Sequence, residues 1–260
     1  VRFESSKSEM LCVGVARSQR LLPTPKNSGG RILLFSVARE SGGHTVSVKL
    51  EQVTETKEAP TAMAQYNSML LCALGTKLRI YDMGKKQLLK KCERKGLGRQ
   101  LVAITVMGNR FVVADSSDSV HWCFYESSRN LIRVFCDDVI PRHVSAMCAL
   151  DYNTIAVGDK FGCVSVLRVP DAVNEALRLD AGGGDLWPQQ LQGAPYKCDE
   201  VARFRVDGAV TALASSSLLG PSSATQPLLL YCTVHGAVGA LLPLTSREDV
   251  DFLSKLEVRE

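Results

Sequence analysis

Short apolar runs joined by polar turns recur along this chain at intervals of about 40 residues, the spacing of a repeat built from several strands. Four stretches carry the pattern: SMLLCALGTKLRIYD (68–82), NRFVVADSSDSVHWCFY (109–125), NTIAVGDKFGCVSVLRV (153–169) and PLLLYCTVHGAVGALLPL (227–244). The second repeat is the most regular. LVAITV (101–106) predicts a first strand, and Gly108-Asn109 a hairpin turn. RFVVA (110–114) follows as a second strand, and Asp115-Ser116-Ser117-Asp118 as a polar turn. VHWCFY (120–125) and NLIRVFC (130–136) complete a four-stranded antiparallel unit, the make-up of one propeller blade.

The other repeats follow the same order. PTAMA, MLLCAL, KLRIYD and QLLKKCE form one, with Asn67-Ser68 at its first turn; HVSAMCAL, TIAVG, CVSVLRV and VARFRV form another. VTALA, LLLYCT and VGALLPL form the last, and inserted loops at 171–200 and 215–226 stretch the spacing before it. In KLRIY, Leu78 and Ile80 face one way while Lys77, Arg79 and Tyr81 face the other, which predicts a half-exposed strand. TIAVG and LLLYC are apolar throughout and predict strands covered on both faces. EMLCVGVA (9–16), GRILLFSV (30–37) and TVSVKLEQV (45–53) supply second, third and fourth strands with no apolar first strand before them. After VGALLPL comes TSREDVDFLSKLEVRE, where Ser246 with Asp249 resembles a helix cap and Val250, Leu253 and Leu256 have helical spacing.

The expected architecture is therefore all-β: a propeller of WD40-like four-stranded blades, four to five in number over residues 1–244, with a short helix opening a helical segment at 245–260. The ring is incomplete in these residues, and the missing strands are expected from elsewhere in a longer polypeptide, because bare sheet edges invite aggregation.

Composition narrows the class without changing it. Hydrophobic residues make up 45% and charged residues 22% of the chain, as in an ordinary globular domain, and the net charge of +4 is mild. The 9 cysteines include no C-x-x-C pair and many fall within strands, which suits buried thiols in a reducing compartment. Residues 209–246 contain no Asp, Glu, Lys or Arg, but His235-Gly236 and Pro243 make a buried hairpin the expectation there rather than a membrane helix.

No catalytic, cofactor or metal site is expected. The four histidines lack ligand spacing; His44 and His235 fall in turns. AGGGD (181–185) lacks the lysine and helix of a phosphate cradle. Asp137-Asp138 and the group Glu248, Asp249 and Asp251 are expected to be solvated turn charge and helix N-terminal charge. The dense charge is basic: Lys85, Lys86, Lys90, Lys91, Arg94, Lys95 and Arg99 against Glu93. Such a run suits either a lysine-guarded edge strand or a phosphate-tracking edge. No aromatic residue interleaves it, so base stacking is not suggested.

GRILLFSV (30–37), LRIYDMGKKQLLKKCERK (78–95), the stretch at 137–170, the loop DLWPQQLQGAPYKCDEV (185–201) and TSREDVDFLSKLEVRE (245–260) resemble the third propeller of a family of three-propeller scaffolds. That family comprises the large propeller subunit of splicing factor 3b, the large damage-specific DNA-binding protein and the large subunit of the cleavage and polyadenylation specificity factor. Asp82-Met83-Gly84-Lys85-Lys86, Asp159-Lys160-Phe161-Gly162 and Asp251-Phe252 are most similar to the splicing member, whereas His143 stands where the family usually has an aromatic. The resemblance implies a non-enzymatic nuclear scaffold of the U2 small nuclear ribonucleoprotein that grips a helical-repeat subunit and touches RNA through its partners. A ubiquitin-ligase adaptor, a polyadenylation subunit and direct RNA binding through the basic edge are the alternatives. Strand ends and turns place Arg142, Asp159, Lys160 and Phe161 as candidate protein contacts, with core turn packing the expected role of Phe161.

Overall fold

The computed structural model describes residues 1–4, 9–20, 27–39, 46–179, 193–216, 228–244 and 246–257. Its strands form five sheets, taken in chain order. The first contains β1 (Met10–Ala16), β2 (Gly30–Arg39) and β3 (Val46–Thr56); the second β4 (Pro60–Tyr66), β5 (Met69–Leu74), β6 (Lys77–Asp82) and β7 (Leu89–Arg94). The third contains β8 (Leu101–Met107), β9 (Arg110–Asp115), β10 (Val120–Glu126) and β11 (Leu131–Asp137). The fourth contains β12 (Val144–Ala149), β13 (Thr154–Asp159) and β14 (Cys163–Arg168). Helix α1 (Asp171–Leu179) and β15 (Tyr196–Lys197) come before its outer strand β16 (Asp199–Arg205). β17 (Val210–Ser216), β18 (Leu228–Thr233) and β19 (Val238–Leu241) make the fifth, and helix α2 (Arg247–Glu257) follows.

Within each sheet the pairing is antiparallel and sequential, apart from β15, which runs parallel to β11. Asn67 (φ 51) and Gly108 (φ 62) hold the equivalent first turns of the second and third sheets in the left-handed region that such hairpins require. The sheets stack face to face, and alternation along each middle strand decides which neighbour a side chain meets. Leu70 and Cys72 of β5 pack with Ile32 and Leu34 of the first sheet. Leu71 and Ala73, one step out of phase, pack with Phe111 and Val113 of β9. Val112 and Ala114 turn the other way, onto Val144, Ile155 and Val157 of the fourth sheet. Ala156 and Val164 then meet Val210 and Leu229 of the fifth. Four apolar layers thus alternate with five sheets, which is the packing of consecutive propeller blades.

This stacking corrects two strand expectations. Tyr81 of β6 is buried, because the first sheet covers the face predicted to be open. Conversely, β18 is covered mainly on the fourth-sheet side, and Val234, Val238, Leu242 and Leu244 around it are exposed. The segment predicted as a loop at 171–200 contains α1, β15 and the first residues of β16. The glycine run and residues 185–192 of the Leu186-Trp187 loop lie outside the described residues, as do His44 and much of the second predicted insertion. The hairpin expected at 227–244 is β18–β19, and among the described residues no helix is long and apolar enough to cross a membrane. Ser246 caps α2, accepting from the Asp249 backbone N–H through its Oγ at 3.4 Å.

The fourth and fifth sheets approach closely at Gly158. A Cβ there would lie 2.4 Å from Cγ1 of Val210. Gly158→Ala is therefore expected to force the two sheets apart and to cost about 1–3 kcal/mol, read as a lower urea midpoint. An unchanged midpoint would mean that the seam can widen freely.

Candidate functional site

Where β11 gives way to β12, the chain turns with Asp137, Asp138, Arg142 and His143 in quick succession. Neither aspartate is solvated turn charge; both are buried. Asp138 Oδ2 accepts from Ser119 Oγ and from Arg142 Nε, each at 2.6 Å. Arg142 Nη1 donates to Ser165 Oγ at 2.6 Å. Its Nη2 lies 3.3 Å from Glu200 Oε2, close enough for charge attraction but not aligned for a hydrogen bond. Burial works against the charge of this guanidinium. The bond to Asp138 and the charges of Asp138 and Glu200 outweigh that and hold it above its ordinary value.

Asp137 faces the opposite way. Its carboxylate accepts from the Ala194 backbone N–H at 3.0 Å and from Lys197 Nζ at 2.5 Å, while its carbonyl takes the Cys198 N–H at 2.9 Å. These bonds lay β15 along β11 and cover what would otherwise be a bare outer edge. No local signal announces this, because the partners are about 60 residues apart in sequence.

The four predicted contact residues therefore separate into two pairs. Arg142 is 3% exposed and joins three elements internally. Asp159 is buried as well, and its Oδ1 takes the backbone N–H groups of Phe161 at 2.8 Å and Cys163 at 2.9 Å. Asp115 performs the same task one sheet earlier, accepting from Ser117 and Asp118. Lys160 and Phe161 occupy the apex of the turn that Asp159 holds. Phe161 is 62% exposed rather than packed in the core. Its ring stands edge-on to His143 at 5.2 Å, with Lys160 Nζ 5.1 Å from its centre. Neighbouring turns share this face: Val206 N donates to Gly162 O at 2.7 Å, Val234 N to Ala209 O at 2.9 Å, and His235 packs against Gly208.

His121, opposite Asp137 in the β10–β11 pairing, is 4% exposed, and neither ring nitrogen has a hydrogen-bond partner among the described residues. Burial pushes its pKa down, opposed by the charges of Asp137, Asp115 and Asp118. All nine cysteines are free thiols. Burial raises Cys72 to about 12 and Cys92 to about 11, which leaves them as inert core residues.

The basic run lies on the outer edge of the second sheet, with β7 as the edge strand. Lys85, Lys86, Lys90, Lys91, Lys95 and Arg99 are exposed, whereas Arg94 is half-buried. Glu93 is committed to Arg79, with Lys95 at 3.6 Å. Beside this edge, at the seam between third and fourth sheets, lies a cleft of about 810 Å³. Its floor is Arg110, held by Asn153 at 3.2 Å and Asn174 at 2.7 Å, with its guanidinium 4.7 Å from the Tyr152 ring. Nothing in the strand pattern pointed to this cleft, because α1, which forms one wall, falls in the segment predicted to be a loop.

The stacked antiparallel sheets define an all-β, propeller-like class of protein, and the chain belongs to the family described as the CPSF A subunit region, matched over residues 1–259. It is 46% identical over 209 residues to the probable splicing factor 3B subunit 3 of Dictyostelium discoideum, a match covering 79% of this chain and 16% of that protein. To splicing factor 3B subunit 3 of Drosophila melanogaster it is 37% identical over 250 residues, 95% of this chain and 20% of that protein. Spliceosome-associated protein 130 A of Arabidopsis thaliana is 36% identical over 251 residues, 96% of this chain and 20% of its own. The chain thus spans a fifth or less of the length of these relatives.

Proposed function

We propose that this region is a non-enzymatic, protein-binding scaffold working in pre-mRNA splicing in the nucleus, within a complex of the splicing factor 3b type. It corresponds in this reading to the third propeller of a three-propeller chain and serves branch-site recognition by presenting rigid turns to a helical-repeat subunit and its neighbours. The names carried by its relatives support the setting. One observation carries the mode of action: the exposed Lys160–Phe161 apex stands on a turn held from below by Asp159, beside the buried Arg142 network. A large aromatic held in the open by a rigid base is the form of a binding hot spot, since little freedom is lost on docking.

Phe161→Ala in the full chain is expected to weaken co-purification of the other complex subunits by at least tenfold, about 1.4 kcal/mol or more, and to leave thermal stability within about 0.5 kcal/mol. Mass spectrometry of the affinity-purified complex measures the first. Recovery of a cullin or of polyadenylation factors in place of splicing subunits would overturn the reading.

A further inference from the structure

The basic edge and the cleft meet at one residue. Lys91 Nζ lies 5.9 Å from the Tyr125 ring, and Asn130, which accepts from the Tyr125 hydroxyl at 2.7 Å, donates to the Lys91 carbonyl at 2.8 Å. Tyr125 is also part of the cleft wall. We infer that the lysine edge and the cleft together form one binding site for single-stranded RNA, the phosphates following Lys85, Lys86, Lys90 and Lys91 and an unstacked base entering the cleft past Tyr125.

The lysines make no direct ion pair, although Glu93, already bound to Arg79, lies within the field of Lys90. Among the described residues Lys85, Lys86, Lys90 and Lys91 have no ion-pair partner, whereas Lys77 is paired with Glu58, Arg79 with Glu93 and Arg31 with Glu55. Guarding an edge strand would need only the lysines on β7 itself; Lys85 and Lys86 precede it, in the connection from β6. Exposed cations that no carboxylate binds directly suit a polyanion whose counterions they release.

The cleft holds what a base requires. Phe124, Tyr125 and Tyr152 are among its lining residues, Tyr152 with the Arg110 guanidinium over its ring. Arg110 takes the side-chain oxygens of Asn153 and Asn174, and Asn109 Oδ1 accepts from the Tyr152 hydroxyl, so the amide NH2 groups of all three asparagines remain available as donors. Asp171 and Glu175, one turn apart on α1 and unpaired among the described residues, are acceptors suited to exocyclic amino groups. These two carboxylates repel any anion, phosphate included, so the phosphates stay on the lysine edge and only an uncharged base enters the cleft. The choice of RNA as the polyanion rests on the splicing reading above; the contact itself does not depend on which protein subunits bind.

The test uses the purified full chain and a fluorescent 12-nucleotide single-stranded RNA, read by anisotropy at 50 and 200 mM salt. With four phosphate contacts, affinity should fall about 50-fold between the two salts. Changing Lys85, Lys86, Lys90 and Lys91 together to Gln should remove most of that dependence, while Lys49→Gln with Lys57→Gln leaves it intact. Tyr125→Ala should weaken binding about 5- to 100-fold, and Tyr125→Phe, which keeps the ring, should bind as wild type. An unchanged salt slope in the quadruple variant, wild-type affinity in Tyr125→Ala, or equal binding of polyglutamate would overturn the proposal. Co-purification with protein subunits is unaffected by these outcomes, so the scaffold reading stands or falls separately.

Discussion

Replacing Arg142 with alanine is expected to lower the unfolding free energy by about 3–5 kcal/mol, because the change leaves Asp138 charged, buried and short of its partner. The carboxylate would keep the Ser119 hydroxyl and the Ile140 backbone N–H but no cation, and Ser165 Oγ would lose the guanidinium that donates to it. For a domain of this size the midpoint of thermal unfolding should fall by roughly 6–20 °C. The double change Arg142→Met with Asp138→Leu should recover a large part of the loss, since apolar side chains of similar bulk need no charge partner. A loss below about 1 kcal/mol for the single variant would show that the pair behaves as if exposed. This outcome also separates structure from binding. Partner affinity per folded molecule should be unchanged in Arg142→Ala and reduced in Phe161→Ala.

Acidification should destabilise the fold through His121. Its folded-state pKa lies below the ordinary histidine value because burial disfavours the imidazolium. The unfolded chain titrates near the ordinary value of about 6.5. Below that pH the unfolded state binds a proton that the folded state refuses, so stability is full above about 6.5 and is lost as pH falls, by up to about 1.4 kcal/mol per pH unit. The facing charges do not reverse the sign. Asp137, Asp115 and Asp118 favour the proton and Lys197 opposes it, and the net shift remains downward. Urea midpoints at pH 7.5 and 5.0 measure the effect, and His121→Leu should flatten the dependence. An equal acid loss in that variant would place the proton uptake elsewhere.

The strands were legible because a blade sandwiched between two others needs apolar side chains on both faces of its middle strands. MLLCAL, RFVVA and TIAVG announce this directly as unbroken apolar runs. The turns were legible where a left-handed backbone demands Gly or Asn, as at Asn67 and Gly108. The same local grammar misread side chains whose environment depends on a neighbouring sheet. Tyr81 alternates with Ile80 and so counted as exposed, until the first sheet covered it. Phe161 counted as core because it is large and apolar, yet the turn held by Asp159 lifts it outward. Asp137-Asp138 counted as solvated turn charge; the Lys197 partner of Asp137 is far away in the chain, and the Arg142 partner of Asp138, though only four residues on, is buried with it by the packing of the next sheet.

Strand order within each repeat, the terminal helix cap and family membership all follow from residues close to one another in the chain, because backbone pairing and turn chemistry act over a few residues at a time. The pairing of Asp137 with Lys197, the neutrality forced on His121, the coverage of β11 by β15 and the meeting of Lys91 with Tyr125 do not follow from any local pattern. Each arises where separate blades or an excursion of the chain come to rest against each other. Burial and charge at those seams are properties of the space between elements, and that space exists only once the sheets have stacked.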